Sequence, residues 1–139
     1  MKIWHYSSTC FLDQILVAGS LQPGNNAGLY RVPLLWFSLD QDWEPMAAVF
    51  FGRKKDNCGA VRFGLSQNDS RLLAWRQACT LAGRSRQDRR HAETLAKRHG
   101  SNCEDWFATT HVIPIADLEF QIYRSERWCF GDEIQQCPH

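Results

Sequence analysis

The stretch Lys2-Ile3-Trp4-His5-Tyr6-Ser7-Ser8 decides how the chain begins to fold, because it is a short apolar strand with polar residues at its end. Side chains of an extended chain alternate between two faces, so consecutive residues of this stretch are expected on opposite faces. The hydroxyl groups of residues 7–9 can cap the start of a helix. The stretch therefore predicts a strand over residues 2–6 that leads into a helix over residues 10–18.

A second apolar stretch, residues 32–38, ends on Ser38. It is apolar at successive positions, which is typical of a strand buried on both faces. Gly19 ends the preceding helix, and the turn residues of 22–29 predict a flexible loop between the two strands. Because both strands end on polar side chains, we expect those of His5 and Ser38 to lie at the same edge of the sheet.

The rest of the chain alternates between strand and helix periodicity. The predicted strands are residues 60–65, 108–113, 118–123 and 127–130, the predicted helices are residues 70–82 and 87–99, and a short helical turn is predicted around Trp106. The last two strands are expected to form a hairpin. The run 46–51 fits either a helix or a strand. Residues 131–139 are polar and are expected to form a loose tail. Strands at both ends with helices between them predict one α+β domain over residues 1–139.

Composition narrows the class of protein. The chain has 139 residues, of which 44% are apolar and 22% are charged, as in globular domains. A net charge of +1 excludes a globally basic nucleic-acid binder. The N-terminus lacks the apolar core of a signal peptide, and the longest apolar run is too short to cross a membrane. We therefore expect a cytoplasmic protein without a membrane partner, whose six cysteines are mostly reduced.

The two strand ends carry groups that suit a phosphorylated ligand. His5 lies close to the start of a helix, where free backbone N–H groups favour anions. Ser38 is expected at the same edge, and aromatic rings stand beside both residues. Aromatic rings can hold a flat base. This unit therefore predicts a nucleotide site.

The pattern His-Tyr-Ser-Ser at 5–8, then Ile15-Leu16, Gly19-Ser20-Leu21 and Trp36-Phe37-Ser38, resembles the opening of the ADP-ribosyltransferase fold. The resemblance covers about 40 of the 139 residues. The superfamily includes poly-ADP-ribose polymerases, RNA 2′-phosphotransferases and small bacterial toxins, which share a split α+β core. The resemblance implies a split mixed or antiparallel sheet with helices packed on it, and a cleft that binds NAD.

The resemblance also implies roles for individual residues. His5 matches the first motif, which contacts the ribose, and Ser38 or the ring of Phe37 matches the second, near the nicotinamide. The third motif is often a glutamate that stabilises the oxocarbenium-like charge as nicotinamide leaves. Glu119 is the best match for it. The implied catalytic residues are His5, Ser38 and Glu119. Glu44 and Glu126 are alternatives to Glu119. The implied cofactor-binding residues are His5, Tyr6, Ser7, Phe37, Ser38, Trp43 and Glu44.

Two functions follow from this resemblance. The first is a small NAD- or nucleotide-binding domain that transfers ADP-ribose to a macromolecular acceptor. The second is a non-enzymatic binding or inhibitor protein, of the accessory type found in phages and mobile elements, that sequesters a nucleotide or blocks a partner protein. If none of the three glutamates lies in the cleft, we expect binding without turnover.

A basic run could serve a different partner. It contains Arg84, Arg86, Arg89, Arg90, Lys97 and Arg98 against Asp88 and Glu93. On a helix, Arg86, Arg90 and Lys97 fall on one side, where they and Arg84 could contact the phosphates of a nucleic acid. A solvated helix face is the favoured interpretation. No aromatic residues stand in this run, which argues against stacking on single strands.

Metal and thiol chemistry are weaker candidates. His91, His99 and Cys103 are not at a metal-ligand spacing, so no metal site is predicted. Cys10 stands at a helix start near His5 in the sequence, an arrangement that can activate a thiolate. A buried, inert Cys10 is nevertheless the favoured state.

Overall fold

A seven-stranded antiparallel sheet is the centre of the computed structural model, which describes residues 1–24, 31–47 and 59–130. The sequence predictions for the loop around residues 25–29, for the second half of the run 46–51, for the polar loop 52–57 and for the tail 131–139 lie outside these residues. Cys58 and Cys137 also lie outside them.

The strands are β1 Lys2–Ser8, β2 Ser20–Leu21, β3 Leu35–Ser38, β4 Ala60–Ser66, β5 Leu73–Ala74, β6 Trp106–Thr109, β7 Ile113–Pro114, β8 Glu119–Arg124 and β9 Arg127–Phe130. The helices are α1 Leu12–Ala18, α2 Trp75–Leu81 and α3 Arg86–Arg98. Short 3₁₀ turns span Thr9–Phe11, Cys103–Asp105 and Ile115–Asp117. Residues 45–47 are helical, so the described part of the run 46–51 is helix. The class is α+β, as the sequence predicts.

The strand order is β5-β6-β3-β1-β4-β8-β9, and β2 and β7 form a separate two-stranded ribbon. β1 pairs with β4 along all of its seven residues, from Lys2 opposite Ser66 to Ser8 opposite Ala60. With β3 it shares only one register pair, Trp4 opposite Ser38. Regular pairing of β1 with β3 is therefore limited to Trp4, where β1-β4-β8-β9 joins β3-β6-β5 in one sheet.

The two faces of the sheet carry different aromatic residues. Residues that lie opposite each other in neighbouring strands share a face, so the register assigns every side chain. One face, here the tryptophan face, holds Trp4, Trp36, Trp106 and Trp128, with Trp43 and Trp75 packed on it. The other, the phenylalanine face, holds Phe37, Phe63, Phe107 and Phe120.

Different elements cover each face. α2, α3 and residues 43–47 lie over the tryptophan face, where the buried ring of Trp75 lies 5.6 Å from that of Trp36 and 5.5 Å from that of Trp106. α1 and the β2–β7 ribbon lie over the phenylalanine face. Their apolar contacts with its core come from Leu12, Ile15, Leu21 and Ile113.

The tryptophan face buries the guanidinium of Arg62. It lies 3.8 Å from the ring centre of Trp4 and 4.3 Å from that of Trp128. Its Nε donates to Gln121 Oε1 at 2.7 Å, and its Nη1 donates to the carbonyl of Gln41 at 2.5 Å. Burial lowers the pKa of Arg62. The two aromatic rings and the neutral acceptors offset part of that desolvation cost.

Local signals predicted two elements closely. The helix predicted over 87–99 is observed at Arg86–Arg98, and Ser85 Oγ accepts a hydrogen bond from Asp88 N at 3.1 Å as its cap. The predicted hairpin is observed in β8 and β9. Its two turn residues, Ser125 and Glu126, both adopt positive φ, which fits the right-handed twist of the strands.

The helix predicted over 70–82 begins later than its periodicity indicates. Arg71 is held by Asp69, with Nη2 2.8 Å from Oδ2, and β5 pairs with β6 before the helix starts. The helix then begins at Trp75, where Gln77 Oε1 accepts from the backbone N–H of Ala74 at 3.1 Å. Strand pairing and this side-chain cap therefore override the periodicity.

Two predicted strands are shorter than expected. The strand predicted over 32–38 is regular only at β3 Leu35–Ser38. The stretch 108–113 is divided between β6 and β7, which belong to different sheets. The helical turn predicted around Trp106 is observed at Cys103–Asp105. It ends before Trp106, because Trp106 pairs with Ser38 in the sheet.

We expect Gly64→Ala to lower the free energy of unfolding by about 1–3 kcal/mol, because the added methyl group overpacks the tryptophan face. Its Cβ would lie 2.7 Å from Trp4 Cζ3, and the Trp4 ring is held under Arg62. Urea denaturation measures the change. Gly24→Ala is the control, because no atom of the described residues lies within 4 Å of its added Cβ. Equal losses in the two variants would contradict this prediction.

Candidate functional site

His5 lies on the phenylalanine face at the point where β1 and β3 separate. It is opposite Phe63 of β4, and its ring packs edge-on against Phe37, with ring centres 5.9 Å apart. Beyond Trp4 no register pair joins β1 to β3, and the side chain of His5 reaches the neighbouring strand instead. The imidazole therefore bridges β1 and β3 where their regular pairing has stopped.

The hydrogen bond of His5 fixes its tautomer. Its Nδ1 lies 2.8 Å from the carbonyl oxygen of Trp36, which can only accept. Nδ1 therefore carries the proton. Burial lowers the pKa of His5 and outweighs the opposing effect of this hydrogen bond, so the ring is neutral at pH 7. A neutral imidazole protonated on Nδ1 presents Nε2 as a hydrogen-bond acceptor.

Ser7 is the other polar residue of β1 on this face. It lies two residues beyond His5 in the same strand, opposite Val61 of the phenylalanine core, and is buried. Residues two apart in a strand are about 7 Å apart and point to the same side. His5, Ser7 and Phe37, three of the seven candidate nucleotide-binding residues, are therefore on one face.

Ser38 lies on the opposite face from His5. It is directly opposite Trp4, so its side chain joins the tryptophan face, and it is buried there. Its Oγ donates to Glu44 Oε1 at 3.3 Å and accepts from the backbone N–H of Asp40 at 3.1 Å. The expectation that the side chains of His5 and Ser38 lie together at one edge is wrong. Ser38 is opposite Trp4, the residue before His5, and neighbouring residues of a strand point to opposite faces.

The carboxylate of Glu44 is fully engaged in the fold. Its Oε1 accepts from Trp106 Nε1 at 2.7 Å in addition to Ser38 Oγ. Its Oε2 accepts from Ser101 Oγ at 2.6 Å and from the backbone N–H of Met46 at 2.7 Å. Four donors occupy the lone pairs that a carboxylate offers. Glu44 therefore joins β3, β6 and the end of α3.

Glu119 and Glu126 are also remote from His5. Glu119 is opposite Gly64, which places it on the tryptophan face, and its nearest cation is Lys2, with Oε2 and Nζ 4.0 Å apart. Three strand spacings separate Glu119 from Ser38, a distance of about 14 Å. Glu126 lies in the hairpin turn. None of the three candidate glutamates shares a face with His5.

Tyr6 and Trp43 belong to the packing around Arg62. The hydroxyl of Tyr6 donates to the carbonyl of Asp40 and accepts from Arg62 Nη1 at 3.4 Å. The ring of Tyr6 lies 5.4 Å from that of Trp43. Burial raises the pKa of Tyr6. Both residues therefore lie on the tryptophan face with Ser38 and Glu44, away from His5.

The cysteines differ from expectation at two positions. Cys10 is exposed rather than buried, and Cys129 is disulfide-bonded. Cys79 and Cys103 are buried free thiols, and burial raises the pKa of Cys103 to about 12, which disfavours a thiolate. Within residues 1–24, 31–47 and 59–130, no cluster of three or more His, Cys, Asp or Glu side chains could hold a metal ion.

The sequence did not predict the structural roles of Arg62 and Glu44. Arg62 alternates with Val61 and Phe63, a pattern that indicates a solvent-facing side chain, yet it is buried. Glu44 follows Trp43 in what reads as a turn, and two of its four donors, Ser101 and Trp106, come from distant parts of the chain. The only local signal is the excess of tryptophans, which provide rings for Arg62 and an indole donor for Glu44.

No family model, curated protein or solved structure matches this chain. In the part of the chain that the structure covers, no helix is long and apolar enough to cross a membrane.

We expect Glu44→Ala to lower the free energy of unfolding by about 2–4 kcal/mol, because it leaves the donors of Ser38, Ser101 and Trp106 without their acceptor. Urea denaturation monitored by tryptophan fluorescence measures the loss. Glu104→Ala removes an exposed carboxylate and is expected to change stability by less than about 0.5 kcal/mol. A loss no larger than that of this control would show that the Glu44 network contributes little.

We expect the stability of the wild-type protein to fall between pH 7.5 and pH 5 through His5. Its folded-state pKa lies below the ordinary value of 6.5, so the unfolded chain binds its proton first as the pH drops below about 6.5. The contribution of His5 is therefore full above that pH and decreases below it. His5→Gln is expected to show a smaller fall in urea midpoint over this range, whereas His91→Gln, at an exposed position, is expected to keep the wild-type fall. Identical profiles for all three proteins would contradict this assignment.

Proposed function

We propose that this chain is a small domain of the ADP-ribosyltransferase type that binds NAD or a related nucleotide, with His5 holding a ribose. The observation that carries the proposal is the hydrogen bond between His5 Nδ1 and the carbonyl of Trp36. It leaves Nε2 as an acceptor on the phenylalanine face, between β1 and β3. A ribose hydroxyl is a matching donor.

The surroundings of His5 support a ligand of this kind. Regular pairing of β1 with β3 is limited to Trp4, so His5 meets the neighbouring strand through its side chain. Ser7 and Phe37 lie on the same face as His5, and both are buried. Small-molecule sites combine apolar walls with a few polar groups. The fit of NAD to this site therefore rests on His5, Ser7 and Phe37.

The geometry favours a protein that binds the nucleotide without converting it. Loss of nicotinamide develops positive charge on the ribose, and a carboxylate close to that ribose stabilises it. Glu44 is engaged by four donors on the other face, and Glu119 also faces away from His5. A nucleotide at His5 would therefore lack the carboxylate that the enzymatic form requires from these residues.

We expect isothermal titration calorimetry to detect NAD binding to the wild-type protein, with about tenfold weaker binding in His5→Gln. The glutamine amide can still donate to the Trp36 carbonyl but does not place an acceptor where Nε2 stands, and one lost hydrogen bond is worth about 1.4 kcal/mol. Ser38→Ala is the matched control and is expected to bind within about twofold of wild type, because Ser38 faces away. Equal weakening in both variants, with folding intact by circular dichroism, would contradict the assignment of the site.

The enzymatic alternative is tested in the same preparation. Transfer of ADP-ribose to a macromolecular acceptor releases nicotinamide, which chromatography detects. We expect no release above that of buffer, with or without a cell lysate as a source of acceptors. Release that is lost in His5→Gln would establish the transferase form, and release lost in Glu119→Gln would identify its carboxylate.

A further inference from the structure

The exposed side of α3 carries four cations and one carboxylate. Its exposed residues are Arg86, Gln87, Asp88, Arg90, His91, Thr94, Lys97 and Arg98. The opposite side of the helix packs against the cluster around Trp75 through Ala92, Leu95 and Ala96. The helix is therefore fixed on the domain by its apolar side, with four Arg and Lys side chains directed to solvent.

α3 also has two acidic residues. Glu93 Oε1 accepts from Trp75 Nε1 at 2.9 Å and lies 3.4 Å from Arg89 Nε, so its charge points toward α2 and is partly neutralised. Asp88 is exposed in the first turn, where a carboxylate complements the helix dipole. At 100° per residue Asp88 lies about 160° around the helix from Arg90, and Glu93 lies about 60° from it. Glu93 therefore offsets part of the positive charge of this face, and the four exposed Arg and Lys residues outnumber it.

The cations form a stripe whose length can be compared with the spacing of phosphates in a nucleic acid. Arg86, Arg90 and Lys97 fall within about 40° of one another around the helix axis, and their Cα atoms span about 17 Å along it. Phosphates in one strand of a duplex advance by about 3.4 Å per base, so the stripe extends along about five of them. Residues 76–98 hold seven of the 16 basic residues and two of the 15 acidic ones, so positive charge is concentrated here although the whole chain is near neutral.

We propose that the exposed face of α3 binds the phosphate backbone of double-stranded nucleic acid without reading its sequence. A duplex is the matching partner because this face has no aromatic side chain on which an unpaired base could stack. Arg84 is not part of the surface, since it is half-buried with its guanidinium 5.9 Å from the ring centre of Trp75. α3 covers the tryptophan face, so this proposal does not depend on the site at His5.

The test is fluorescence anisotropy with a labelled 20-base-pair DNA duplex of mixed sequence, at several salt concentrations. We compare the wild-type protein with the double variant Arg90→Gln/Lys97→Gln and with the control Lys2→Gln/Arg127→Gln, which removes two cations remote from α3. The double variant is expected to bind at least tenfold more weakly at 0.1 M salt. The slope of log K against log salt is expected to decrease in magnitude by about 1.8, or about 0.9 for each lost contact.

Each outcome bears on the proposal. Weaker duplex binding in the α3 variant alone, with unchanged folding by circular dichroism and unchanged NAD titration, would support it. Absence of duplex binding by the wild-type protein at 50 mM salt would overturn it, as would equal losses in both double variants. Tighter binding to the single strand than to the duplex would also overturn it, because stacking would then dominate.

Discussion

The register of β1 between β3 and β4 is the constraint on which the rest of the structure depends. Trp4 lies opposite both Ser38 and Gly64, and this row assigns every neighbouring side chain to one of two faces. Because the period of a strand is two residues, a slip of one residue would exchange the faces completely. The register gathers six tryptophans on one side and separates His5 from Ser38.

Two charged groups are held inside the tryptophan face by different means. Arg62 lies between two indole rings, and its hydrogen-bond partners in the described chain are neutral oxygens. Glu44 accepts four hydrogen bonds from neutral donors. Asp42 and Glu119 also act on Arg62 and raise its pKa against the effect of burial. Trp4 and Trp128 contact Arg62 and Trp106 donates to Glu44, so indole rings serve both groups.

The two proposed sites lie on opposite sides of the sheet. His5 lies between β1 and β3 on the phenylalanine face, where a neutral imidazole offers an acceptor. The cationic side of α3 lies beyond the tryptophan face. The packed sheet lies between them, so we expect a substitution at one site to leave the other unchanged, and variants that keep the fold intact can separate their functions.

The sequence by itself determined the elements that local signals specify. α3 follows from its cap at Ser85 and its apolar stripe, and the hairpin follows from two alternating runs with a two-residue turn. The α+β class also follows from local pattern, whereas His5, expected at the end of a strand over residues 2–6, lies in the middle of β1 Lys2–Ser8. Only the tertiary structure decided the late start of α2, the face of each candidate residue and the burial of Arg62. These depend on pairing between residues distant in the chain, such as Trp4 with Ser38 and Ser38 with Trp106, and no local periodicity encodes which residues become opposite one another.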